Sequence, residues 1–148
     1  MPGTTVDGIA IERDFKAAPS RVFATWTSAE SFAQWFGGAQ VNVPAETLTY
    51  DAVEGTEWRA VMELPDGNTI HWVGDFVNVE PYSHVALTIT DVPDSPVRSL
   101  ITVDLKEIEG GTRMHFTQET PGFSQEQKEA TVAGWQGFLD VLEQIALA

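Results

Sequence analysis

Three histidines, His71, His84 and His115, are the residues of this 148-residue chain best suited to ligating a metal or moving a proton near neutral pH. A zinc-type site wants its ligands clustered at short spacing, and no His-x-x-x-His or Glu-x-x-His pair occurs. Each histidine stands alone, and His71 and His115 fall at strand positions whose parity points outward. There is no cysteine, which removes disulfides, thiolate metal sites and cysteine nucleophiles. No Ser/His/Asp arrangement is legible, and Gly37-Gly38 and Gly110-Gly111 lack the continuation that a phosphate loop or nucleotide fingerprint requires. No metal and no cofactor is therefore expected, and no catalytic residue is assigned. The acid–base chemistry left open is a general acid or base role for one histidine beside a carboxylate.

The aromatic residues say more. Five tryptophans are many for a small core, and Trp58, Trp72 and Trp135 are expected to converge on one side of a sheet. They are either ordinary core or the flat walls of a pocket for a ring-shaped or acyl ligand. The expected lining is Trp58, Met62, Trp72, Phe76, Leu87, Val103, Met114, Phe116, Trp135 and Phe138. Gly134 and Gly137 lie inside a helical stretch, where each costs roughly 0.5–1 kcal/mol relative to alanine. They imply either space for a ligand or a close approach of helix to sheet. Arg13 is unusual because it shares a strand face with Ile9, Ile11 and Phe15. It is either an edge residue whose head escapes to water or an inward cation that holds a carboxylate.

These residues need elements to position them. Ile9 to Phe15 alternates as a strand. Pro19 suits the first turn of a helix carrying Val22, Phe23 and Trp26. Ser28 caps a second short helix bearing Phe32, Trp35 and Phe36, ended by Gly37-Gly38. Val41 to Leu48 reads as an irregular strand broken by Pro44. Strands follow over 56–64, 70–79, 85–90, 99–107 and 112–120, with turns at Pro65-Asp66-Gly67-Asn68 and Glu109-Gly110-Gly111. Ser124, with Gln127 three residues on, opens one long helix to Leu147, with Thr131, Trp135, Phe138, Leu142 and Ile145 on one stripe. The prediction is a single α+β domain over 1–148, of which Met1–Asp7 is a frayed tail. About seven strands form a curved antiparallel sheet around the last helix.

Charge bounds the partners. Twenty-two acidic against eight basic residues give a net charge of −14, which repels nucleic acid and anionic lipid headgroups. The surface suits solubility, a salt-adapted host or a specific basic partner. The start of the chain lacks a signal-peptide pattern and no segment reads as a membrane span, so a soluble cytoplasmic protein is expected. The sequence leaves room for a homodimer, and nothing in it supports a chaperone partner.

The stretches IERDFKAAPSRVFATWTSAESFAQWFGG, LPDGNTIHWVGDFVNVEPYSHVALTIT, GGTRMHFTQETPGF and GWQGFLDVLEQIAL together resemble the START-like, or SRPBCC helix-grip, superfamily. Within it they are most similar to the branch named for the activator of the 90-kDa heat-shock protein ATPase. The resemblance implies a cavity between sheet and C-terminal helix for an apolar or amphipathic small molecule. The alternatives are an enzyme of the polyketide cyclase, aromatase or dehydratase type, or a co-chaperone acting through its surface. Asp51-Ala52-Val53-Glu54-Gly55 stands where many relatives carry an Arg-Pro-Gly-Gly-like turn, and is expected to be an altered loop on the cavity rim.

Overall fold

The computed structural model describes residues 8–38, 40–95 and 97–147; the expected tail at Met1–Asp7 lies outside them, as does Pro96. Strand β1 (Gly8–Phe15) leads into helices α1 (Pro19–Thr27) and α2 (Ala29–Trp35). Strands β2 (Glu57–Glu63), β3 (Thr69–Glu80), β4 (His84–Ile89), β5 (Ser99–Ile108) and β6 (Gly111–Glu119) follow, then helix α3 (Gln125–Leu147). The six strands form one antiparallel sheet in the order β1-β6-β5-β4-β3-β2. Consecutive hairpins build five strands, and β1 closes on β6 from the far end of the chain. This is the helix-grip architecture.

The helix signals act as read. Pro19 occupies the first turn of α1, and the Ser28 hydroxyl accepts from the Ser31 N–H at 3.3 Å. At α3 the capping box is complete: Gln127 N–H donates to Ser124 Oγ at 3.1 Å, and Ser124 N–H donates to Gln127 Oε1 at 2.8 Å. Gly110 takes a φ of 81°, which fits the two-residue turn between β5 and β6.

Two expectations are corrected. Val41–Leu48 is not a strand. Asn42 and Thr49 make single bridges to Glu63 and Arg59, and a 3-10 turn at Ala45–Thr47 separates them. Pro44 has no N–H to continue a ladder, so the segment cannot pair throughout. The buried seam of α3 is Trp135, Leu139, Leu142 and Ala146, and Phe138 and Ile145 flank it. The period is helical as expected, but the phase is turned because α3 packs against β1, α1 and α2 together. Of the two readings of Gly134 and Gly137, open space is the one that stands. A Cβ built at either would meet nothing within 4 Å, so neither is needed for a close approach to the sheet.

The glycine that does serve close packing is Gly74 on β3. A Cβ there would stand 1.7 Å from the Thr88 carbonyl oxygen and 2.5 Å from the Trp58 indole nitrogen. Over this bare backbone Trp58 Nε1–H donates to the Thr88 carbonyl at 3.0 Å, while Thr88 Oγ1 accepts from the Asp75 N–H at 2.9 Å. Side chains thus satisfy backbone groups at an irregular stretch of the β3–β4 pairing.

Candidate site: an aromatic cleft at one end of the sheet

The interior is filled from two directions. Helices α1 and α2 deliver Trp26, Phe32, Trp35 and Phe36, all buried, onto the concave face of the sheet. Phe32 stacks on Tyr50 at 4.0 Å and meets Trp58 edge-on at 5.6 Å, while Trp26 stacks beside Phe116 and Trp135. Tyr50 is enclosed, its hydroxyl donates to the Trp26 carbonyl at 2.6 Å, and burial pushes its pKa up, so it stays neutral. Trp35 Nε1–H likewise donates to the Thr25 carbonyl at 2.7 Å. The buried indole N–H groups of Trp26 and Trp72 have no hydrogen-bond partner among the described residues.

This plug decides where space remains. Beside the N-terminal half of α3 a cleft of about 330 Å³ is left. Phe36, Trp72, Phe123, Trp135 and Phe138 supply its aromatic walls; Ile89, Val97 and Gly134 complete its apolar surface. Thr90, Asp91, Ser99, Gln118 and Thr131 are its polar groups. The elements place them by simple rules. Trp72 lies on the inward parity of β3, Gln118 sits near the end of β6, and Thr131, Gly134, Trp135 and Phe138 recur at helical spacing on α3. Phe36 meets Trp72 at 5.8 Å and Phe138 at 6.0 Å, and Phe138 meets Trp135 at 5.2 Å, all edge-on. Trp135 Nε1–H donates to Gln118 Oε1 at 2.7 Å, which fixes the ring across the cleft floor.

Of the ten residues expected to line a cavity, Trp72, Trp135 and Phe138 do so. Trp58, Met62, Phe76, Leu87, Val103, Met114 and Phe116 are nearly or wholly buried in the closed core and none lines the cleft. The parity reading for these seven is right, since all face inward. What it omitted is that α1 and α2 occupy the hollow in front of them. Phe36, Ile89, Thr90, Asp91, Val97, Ser99, Gln118, Phe123, Thr131 and Gly134 were missed. Most lie at strand ends or in connections, where periodicity carries no signal; Thr131 is read from the sequence as part of the apolar stripe of the helix, and Gly134 lines the cleft in keeping with the reading that it leaves space for a ligand.

The loop at 51–55 is not on the cleft rim. It serves the opposite end of β3, where Glu54 accepts from the Asn78 side chain at 2.7 Å and Gly55 N–H donates to the Phe76 carbonyl. Arg13 is the inward cation of the two readings, and the carboxylates it holds are the protein's own. Its guanidinium donates to Asp140 and Glu143 at 2.7 Å each and to the Gln136 side chain at 3.0 Å, tying β1 to α3.

The histidines face outward, as parity predicted for His71 and His115. The sheet register still brings two of them near each other. Glu12 pairs with His115, His115 with Asp104, and Asp104 with His84 across β1, β6, β5 and β4. His84 Nδ1 lies 2.7 Å from Asp104 Oδ1. Among the described residues no group of three or more His, Asp or Glu side chains is placed to hold a metal ion.

The family model of the Activator of Hsp90 ATPase homolog 1-like proteins matches residues 16–146. The chain belongs to that family. Its solved relatives share the whole fold. A protein from Chromobacterium violaceum aligns with a TM-score of 0.83 at 20% identity, over 96% of this chain and 98% of its own. One from Nitrosomonas europaea aligns at 0.83 and 22% identity, over 99% and 97%. The AHSA1 protein of Silicibacter pomeroyi aligns at 0.81 and 24% identity, over 93% and 95%. At such identities the likeness establishes the fold alone. No curated protein matches the chain. No helix among the described residues is long and apolar enough to cross a membrane.

Proposed function

We propose that the protein binds an apolar or amphipathic small molecule in the cleft beside α3, in the manner of a carrier or sensor. The observation that carries this is the cleft itself. About 330 Å³ is at the lower bound of ordinary ligand sites, and its walls are aromatic with a few polar groups at the edge. A domain built only for stability would fill such a space, since interiors otherwise pack to crystal-like density. The enzyme alternative would act through ionisable groups turned into the cleft, and Asp91 is the single ionisable side chain of its lining. The acidic surface disfavours nucleic acid as the partner, and a cytoplasmic setting fits a chain without cysteine.

Native mass spectrometry of the purified protein should reveal a co-purifying small molecule, or the emptied protein should bind the neutral probe phenylnaphthylamine saturably with a change in tryptophan emission. A protein that carries no bound mass and gives no saturable response to the probe overturns the reading.

A further inference from the structure

The charge of the ligand can be inferred from the cleft, and the inference rests on the binding reading above. Five aromatic rings surround the space, and Asp91 is the only ionisable side chain among the lining residues. It is exposed at the mouth, where β4 has ended, and it makes no hydrogen bond or ion pair among the described residues. The nearest cation in sequence is Arg98, between Val97 and Ser99 of the lining. Its guanidinium is turned away, donating to Asp75 at 2.7 Å and Glu57 at 3.5 Å. Arg13, the β1 cation that reaches α3, is committed to Asp140 and Glu143.

An anionic head group entering this cleft would lose water, meet Asp91 and find no counter-ion among the lining residues. A cationic head group gains on every count. Asp91 attracts it directly, ring faces attract ammonium groups through their quadrupoles, and the net charge of −14 draws cations toward the protein. We propose that the cleft is selective for cationic amphiphiles. The apolar body lies among Trp72, Trp135 and Phe138, and the ammonium head lies at Asp91. Fatty carboxylates of equal length are rejected.

The test uses three probes with one chain length, octylammonium, octanol and octanoate, titrated into the full-length protein and followed by tryptophan emission and calorimetry. Salt at about 0.15 M screens the distant surface charge, leaving the local carboxylate to discriminate. Octylammonium should bind most tightly and octanoate least, with a spread of roughly tenfold or more, equivalent to about 1.4 kcal/mol. In the Asp91→Asn variant the advantage of octylammonium over octanol should disappear. Octanoate binding as well as octylammonium would overturn the inference and leave the binding reading standing. So would an ammonium advantage that survives Asp91→Asn, because the net charge would then be its source. Failure of all three probes, octanol included, would refute the binding reading itself.

Discussion

Replacing Gly134 by leucine should close the cleft and stabilise the fold at the same time, a combination that few substitutions offer. Gly134 lies inside α3, and a Cβ there meets no heavy atom within 4 Å. Glycine inside a helix is about 0.8–1.0 kcal/mol less favourable than alanine, and leucine ranks close to alanine. The side-chain carbons beyond Cβ would enter the space lined by Trp72, Trp135 and Phe138. Each carbon removed from water contributes up to about 0.8 kcal/mol, less where the cleft mouth keeps part of it wet. The sum is a gain of about 1–2 kcal/mol, or ~2–8 °C in Tm for a domain of this size. Gly137→Ala is the control. It shares the open surroundings but does not line the cleft, so it should gain about 0.5–1 kcal/mol and leave binding untouched. Urea denaturation and phenylnaphthylamine titration of both variants provide the readout. A Gly134→Leu protein less stable than the parent, or one that still binds the probe at full affinity, would refute the reasoning about this space.

Trp135→Ala should cost about 3–5 kcal/mol in urea denaturation, because the ring is buried against Trp26, Phe116 and Phe138 and donates to Gln118. In the intact protein its emission should also respond to bound probe, since one edge faces the cleft; a cost below about 2 kcal/mol would mean the site collapses easily. Asp14 accepts two hydrogen bonds from Arg113, at 2.9 and 3.1 Å, which hold its carboxyl below the usual 3.8. A depressed folded-state pKa means the pair helps stability above about pH 4 and loses that help as pH falls further, so an NMR titration should place the Asp14 midpoint below its ordinary value. Arg113→Gln should return the midpoint toward 3.8, and an unmoved midpoint would rule the pairing out.

Local chemistry was enough to read most elements from the sequence. The capping box at Ser124 and Gln127, Pro19 at the head of α1 and the turn at Gly110 each satisfy a backbone requirement within a few residues, so no tertiary information is needed. Strand parity is equally local, and it placed Trp58, Phe76 and Phe116 inward and His115 outward. Parity tells which way a side chain points but not what stands in front of it. That was decided by α1 and α2, whose aromatics fill the hollow before Trp58 and Phe116 and leave a cleft beside Trp72, Trp135 and Phe138. The same holds for Arg13, whose partners Asp140 and Glu143 lie more than a hundred residues away. It holds for the row from Glu12 through His115 and Asp104 to His84, which exists only in the register of four strands. Asp91 had no signal at all, because a loop carboxylate becomes a site residue only when the fold brings aromatic rings to it.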